Sequence, residues 1–469
     1  MKKQNNMDRR AFLKHLGVGA AATTAALAGC NSNNNPVTGN LTAQGEVPVD
    51  KMSYRTNPKN GDKVSLLGYG CMRWPTVSDP SGNGEIIDQN AVNGLVDYAL
   101  AHGINYFDTA PPYCRGLSEK ATGIALKRHP RDSYYIATKM SNHRLVGTGL
   151  SPQELYDASV KMYQNSFRDL QTDYIDYYLM HIVGMGEGLP TLMERFFDNN
   201  LIDFLIKERE AGRIRNLGFS YHGDIRAFDY LLSRHDEFHW DFVQIQMNYV
   251  DYRHASGRNF NADYLYSELD KRGIPVVVME PLLGGRLAGL TDFLNTRLKQ
   301  RRPQESIASW AFRFAGSFPR VLTVLSGMTY MEHLQDNIRT FAPLDECSEE
   351  ELALLEDTAQ IMLKYESVPC TACQYCMPCP YGLDIPGIFA HYNKCINEGN
   401  VPASSQSEGY RKARRAFLVG YDRSVPRLRQ ANHCIGCNQC VHHCPQNIDI
   451  PAQMQRIDNF VEQLKLNPV

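Results

Sequence analysis

Eight short apolar runs, rich in β-branched and aromatic residues, recur between residues 64 and 327, with longer amphipathic stretches between them. They are 64–70 (VSLLGYG), 104–109 (INYFDT), 134–138 (YYIAT), 174–180 (YIDYYLM), 214–220 (IRNLGFS), 242–248 (FVQIQMN), 274–280 (IPVVVME) and 321–327 (VLTVLSG). A strand followed by a helix, repeated over about 280 residues, fits a (β/α)8 barrel. The helical pattern is clear at 151–170. There Ser151 can cap, Pro152 suits the first turn, and Leu155, Met162, Phe167 and Leu170 fall close to one face. The rival, a doubly wound sheet, needs a glycine-rich dinucleotide turn after its first strand. GYGCMRW has neither the third glycine nor the helix onset.

In a barrel the C-terminal strand ends meet on one face, where loops open to solvent while the sheet holds their roots rigid. The stretch 105–113, NYFDTAPPY, ends a strand in Asp108 and carries Tyr113 into a proline-stiffened loop. Lys139 and His181 close two further strands. Singly these are an ordinary capping Asp, a packed Tyr, a surface Lys and a core His. Together they make a proton relay: the Lys ammonium is expected to lower the Tyr pKa, Asp to fix and neutralise the Lys, and His to orient a carbonyl oxygen. Such a site suits hydride arriving at the adjacent carbon.

With these residues the region 62–345 resembles the aldo/keto reductase family, (β/α)8 barrels that move hydride between a nicotinamide cofactor and a carbonyl or alcohol. The resemblance places the family's catalytic tetrad on Asp108, Tyr113 (DTAPPY), Lys139 (ATKM) and His181 (LMHIVG). It also implies that Ser220 and Gln246 hydrogen-bond the nicotinamide carboxamide. Segment 326–337 (SGMTYMEHLQDN), with Ser326, Gly327 and Asn337, would wrap the adenosine phosphates. Two positions depart from the family pattern. Met279, followed by Glu280 and Pro281, stands where many members stack a Tyr under the nicotinamide. His333 stands where NADP-specific members place an Arg for the 2'-phosphate, which points to NAD(H) or weak discrimination between NAD(H) and NADP(H).

Thirteen cysteines punctuate the chain, and eight are packed into two runs. The second run, CIGCNQCVHHCP, has the C-x2-C-x2-C-x3-C-P spacing of a [4Fe-4S] site, and the first, CTACQYCMPCP, is one residue shorter. Zinc more often takes two spaced pairs. In the two-cluster ferredoxins that these runs resemble, the fourth Cys of each motif serves the other cluster. That implies one cluster on Cys370, Cys373, Cys376 and Cys444 and a second on Cys434, Cys437, Cys440 and Cys379. Helical patterns lie between the runs, so a mainly α-helical ferredoxin-like two-cluster domain is expected, with Cys395 as a buried thiol. The span 62–455 resembles a bacterial subgroup that joins the two modules.

The N-terminus carries Arg9 and Arg10 before FLKHLG, a weakly apolar run, and LAGC at 27–30. RRAFLK resembles a twin-arginine export signal and LAGC a lipobox with Cys30 as the lipidated residue; a small cytoplasmic or membrane-lying helix is the other reading. Export by this route implies a periplasmic or cell-envelope protein, lipid-anchored at the inner or outer membrane surface. The expected organisation is signal 1–30, polar linker 31–60, barrel 61–345, connecting helix 346–369, dicluster domain 370–455 and tail 456–469. Lys+Arg 49 nearly balances Asp+Glu 51, so no one-signed field points to nucleic acid. The leading function is an exported oxidoreductase acting on a small-molecule carbonyl or alcohol, with two [4Fe-4S] clusters and NAD(H) or NADP(H), and with a redox protein as electron partner. A non-catalytic electron-transfer module built on a barrel scaffold, and a reductase with purely structural clusters, are the alternatives.

Overall fold

The computed structural model describes residues 46–467 apart from 83 and 258. The twin-arginine segment and Cys30 lie outside the described residues.

Eight parallel strands close into a barrel: β1 Leu67–Gly70, β2 Tyr106–Asp108, β3 Tyr135–Met140, β4 Ile175–Val183, β5 Ile214–Tyr221, β6 Phe242–Gln246, β7 Val276–Met279 and β8 Val321–Ser326. Each pairs with the next, and β8 pairs with β1 through Val324–Leu67. The principal outer helices are α1 Gln89–Ala101, α2 Ser118–Leu126, α3 Pro152–Leu170, α4 Leu201–Glu210, α5 Ile225–Ser233, α6 Ala262–Lys271, α7 Ile307–Gly316 and α8 Met331–Phe341. Helix α3 starts with a complete capping box, in which Ser151 and Glu154 satisfy each other's backbone N–H. The main core lies between strands and helices, while Tyr106, Tyr177 and Phe242 fill the barrel interior, with ring centroids 5.1 Å apart from Tyr106 to Tyr177 and from Tyr177 to Phe242.

The apolar run 64–70 is not one strand. Lys63–Ser65 pairs antiparallel with Tyr54–Thr56, and only Leu67–Gly70 enters the barrel. Val64 packs with Tyr106, Tyr177 and Phe242, and the Tyr177 hydroxyl donates to Asp62 at 2.8 Å. This hairpin closes the floor of the barrel, so the end of the expected linker is folded.

Beyond the barrel, α9 (Glu349–Met362) leads to a domain of three further helices, α10 Ile385–Asn397, α11 Tyr410–Ser424 and α12 Ile450–Leu466. Its core includes Phe389, Phe417, Ile457 and Val461. The expected tail at 456–469 is therefore mostly helix: Ile457, Val461 and Leu464 repeat at helical spacing and cover that core.

Behind the strand ends Glu119 of α2 is buried, and its Oε1 accepts from Thr138 Oγ1 at 2.6 Å. Burial raises its pKa from 4.5 to about 7, against the opposing hydrogen bonds from Thr138 and Ser166. The fold thus favours the neutral acid. The stabilisation is fully present below about pH 4.5 and is lost as pH rises through about 7. Glu119→Gln is expected to remove this loss, gaining up to about 3 kcal/mol over the wild type at pH 8 relative to pH 5. Thermal melts of the two proteins at both pH values check it, and parallel shifts would show that Glu119 ionises normally.

Candidate active site and iron–sulfur centres

The four expected catalytic residues meet at the C-terminal mouth of the barrel. Asp108 ends β2, and Lys139 lies two residues beyond Ala137, its partner in the ladder. Both side chains are buried, and Lys139 Nζ donates to Asp108 Oδ1 at 2.6 Å and to the Thr109 carbonyl at 2.7 Å. The same ammonium stands 4.7 Å from the Tyr113 ring centroid. Tyr113 opens a turn in which Cys114 and Arg115 are left-handed, with φ 50° and 57°, and its ring lies 6.1 Å from that of His181.

His181 is buried on β4, where the register shifts between Met180 and Val183 and Ile182 has φ 48°. Arg195, buried in a π-helical turn, donates to the His181 carbonyl at 2.7 Å and holds this bulge. His181 Nδ1 lies 2.6 Å from Ser141 Oγ. With Ser141 donating to Nδ1, Nε2 keeps its proton and can donate to a carbonyl oxygen. Burial, then the neighbouring cations, push the His181 pKa well down, so the ring is neutral.

One expectation is corrected. Lys139 does not lower the Tyr113 pKa: burial pushes it well up, and Tyr375, Asp108 and Glu280 add to the rise. The Lys139 charge is spent on Asp108, and Tyr113 is held as a protonated donor rather than a phenolate.

Sequence reasoning missed Tyr375. It lies between Cys373 and Cys376, buried beside Tyr113, and its ring is 6.0 Å from His143 and 6.4 Å from His181. The dicluster domain therefore forms part of the active-site wall. The same loop is pinned through Arg73, whose Nη2 donates to the Thr371 carbonyl at 2.6 Å. Thr371 also lies on Gly284, where an added Cβ would come within 2.3 Å of Thr371 Cα.

The expected nucleotide residues lie at neighbouring strand ends. Ser326 accepts from Asn337 Nδ2 at 2.9 Å, Gly327 lies against Arg73, and Met279 ends β7. The two residues expected to hold the nicotinamide carboxamide both have partners within the protein. Ser220 Oγ accepts from the Ile182 N–H at 2.8 Å. Gln246 Nε2 donates to Asp251 at 2.6 Å, and its Oε1 accepts from Gln446 Nε2 at 3.0 Å. Gln446 follows Cys444 by two residues, so both carboxamide partners are already engaged, one of them by the dicluster domain. Half-buried His333 has its pKa lowered by burial and is neutral near pH 7, a poor phosphate partner.

The cysteines surround two cavities. Cys370, Cys373, Cys376 and Cys444 line one, and Cys379, Cys434, Cys437 and Cys440 the other, which is the crossed arrangement implied by two-cluster ferredoxins. Four thiols with apolar walls such as Phe389, Leu383 and Met454 suit a [4Fe-4S] cluster in each cavity. Among the described residues no three His, Cys, Asp or Glu side chains converge on a single-ion site. Ile385 and Ile450 line both cavities, so the two centres are neighbours. Cys395 is buried in α10, away from both.

Comparison with known proteins agrees with this geometry. Residues 66–359 match the model of the aldo/keto reductase family, and residues 369–448 that of a 4Fe-4S dicluster domain. The chain is 25% identical over 323 residues to L-galactose dehydrogenase of Arabidopsis thaliana, covering 66% of this chain and 94% of the relative. It is 26% identical over 351 residues to protein tas of Escherichia coli, covering 66% and 98%. An aldo-keto reductase of Bacillus halodurans, in its holo form, shares the barrel fold with a TM-score of 0.50 and 24% identity, covering 65% of this chain and 96% of that one. The protein acts on a small-molecule substrate and, with its tetrad-bearing barrel and its cysteine-lined cavities in one chain, is an oxidoreductase that belongs to the aldo/keto reductase family and carries a 4Fe-4S dicluster domain.

Proposed function

We propose that this is an exported iron–sulfur oxidoreductase that interconverts a carbonyl and an alcohol at the barrel mouth and exchanges the electrons with a partner through two [4Fe-4S] clusters. One observation carries the reading: Tyr375, set between two cluster cysteines, reaches Tyr113 and the His181 ring. A dicluster domain that only stabilised the fold has no need to enter the active site. The RRAFLK and LAGC motifs support export by the twin-arginine route and lipidation at Cys30, which would hold the protein at the inner or outer membrane surface.

Reduction of a carbonyl takes two electrons and two protons. Tyr113 gives its hydroxyl proton to the carbonyl oxygen, and in the reverse direction takes it back. His181 Nε2–H fixes that oxygen, and Lys139, neutralised by Asp108, holds the Tyr113 ring from beneath. Tyr375 stands beside Tyr113 and excludes water on the side where the cluster loop lies. A bound nicotinamide would supply two electrons and one proton as hydride, with Tyr113 giving the second proton, while clusters held by the eight cysteines would pass electrons one at a time. NAD(H) or NADP(H) competes for its nicotinamide subsite with Gln446, and neutral His333 favours NAD(H).

Tyr113→Phe is expected to lower kcat by about 10²-fold or more with iron content unchanged. Tyr375→Ala, which removes the ring that walls the site, should lower kcat by about 10-fold with iron content unchanged. If steady-state kinetics with small aldehydes and ketones give wild-type kcat in both variants, the active-site assignment is wrong. Anaerobically prepared protein should hold about eight irons per chain, measured chemically and by electron paramagnetic resonance. Zinc or four irons would overturn the two-cluster reading. Gln446→Ala should tighten NADH binding by about 10-fold, measured by fluorescence titration, because one competing hydrogen-bonded pair is lost. Intact mass of the membrane-extracted protein should show an acylated Cys30 as the first residue.

A further inference from the structure

The two cysteine loops repeat one another in backbone as well as spacing. Ala372 and Gln374 are left-handed at φ 52° and 65°, and the equivalent Gly436 and Asn438 at φ 70° and 60°. Thr371 therefore corresponds to Ile435, and Tyr375 to Gln439. In the first loop these positions are covered: Thr371 is 1% exposed against the barrel and Tyr375 reaches the tetrad. In the second loop nothing among the described residues covers them. Ile435 is 62% exposed, Gln439 is exposed, and the ligand Cys437 between them is the most open of the eight cluster cysteines.

Around Ile435 lies a mixed patch. Tyr381 lines the same cavity and is exposed, and Leu428 is 81% exposed. Hydrogen bonds tie these segments together: Arg429 Nε donates to the Gly382 carbonyl at 3.1 Å, and His433 Nε2 lies 3.2 Å from the Arg427 carbonyl. A leucine this exposed, beside an exposed isoleucine and tyrosine, is the apolar centre of an interface rather than scattered surface. Its rim is basic. Between residues 411 and 433 seven Arg and Lys stand against one carboxylate, Asp422, which pairs with Arg427 at 3.1 Å. Asp458, on α12, faces His433 from the other side.

We propose that Tyr381, Leu428 and Ile435, rimmed by Arg423, Arg427 and Arg429, are the docking face for an acidic one-electron carrier protein. This rests on the relay reading above and names its outer terminus. The first loop's face meets the barrel, and the second loop's equivalent face meets the carrier. Each encounter moves one electron between the carrier, oxidised or reduced by one, and the centre held by Cys379, Cys434, Cys437 and Cys440. Two encounters match the two electrons of one carbonyl–alcohol conversion. Basic side chains steer an acidic partner, and the apolar centre holds it close to the exposed cysteine.

The test uses the holoprotein with flavodoxin, an acidic one-electron carrier, as probe. Calorimetric affinity and the stopped-flow rate of cluster reduction by reduced flavodoxin should both fall at least about 10-fold in Arg427→Glu/Leu428→Glu, and should fall in the wild type between about 20 mM and 500 mM salt. Iron content and reduction by dithionite should be unchanged, which shows the variant is folded and loaded. Equal affinity and rate in wild type and variant, no salt dependence, or no flavodoxin binding at low salt overturns the proposal. Binding to phosphatidylglycerol vesicles that the same substitutions abolish, without flavodoxin binding, assigns the face to a membrane instead. The relay reading fails separately if clusters reduced by flavodoxin stay reduced when a panel of small aldehydes and ketones is added.

Discussion

A lysine with 1% of its side chain exposed survives in the core only because its ammonium donates to Asp108 at 2.6 Å and to the Thr109 carbonyl at 2.7 Å. Both partners come from β2 and its exit, next to β3, so the parallel ladder places the pair. Removing either charge would leave the other buried alone, at a cost of about 3–5 kcal/mol. The consequence for chemistry is less obvious. A neutralised lysine exerts little field on Tyr113, whose burial then dominates and keeps it protonated. His181, buried and held by Ser141, is likewise neutral, its burial lowering the pKa more than the neighbouring cations do. The mouth offers a carbonyl oxygen two neutral donors over a buried ion pair.

The second constraint is the contact between barrel and dicluster domain. It is polar and specific rather than broad and greasy: a guanidinium of Arg73 on a carbonyl, a Gln246–Gln446 amide pair, and Thr371 pressed onto Gly284, whose φ of 68° also suits glycine. Gly284 lies in the loop after β7 and Gln446 beside Cys444, so the contact joins the catalytic face to the innermost thiols. The same contact engages Gln246, one of the two residues expected to hold a nicotinamide carboxamide.

Much of this was legible in the chain. Eight apolar runs produced eight barrel strands, displaced by at most three residues at either end, because a strand buried on both faces must be apolar along its length. The tetrad was legible because strand-end residues of a barrel converge whatever lies between them. The resemblance of the two cysteine runs to two-cluster ferredoxins implied which thiols share each cavity, and the fourth Cys of each run does line the cavity of the other.

What periodicity could not reveal were contacts between residues far apart in sequence. The hairpin under the barrel was invisible because Val64 and Asp62 are ordinary until Tyr177 lies above them. Tyr375 read as a spacer between cysteines. Its identity as an active-site residue depends on where the dicluster domain comes to rest, and Arg73, Gly284 and Gln446 settle that from three separate parts of the chain. The Tyr113 pKa was misjudged for the same reason: a sequence names the charged neighbours, but only the packed structure says how deeply they are buried and which of them have already neutralised each other. Local pattern determined the elements and the ligands. Tertiary packing decided the environment, because desolvation and domain contact act through space and not along the chain.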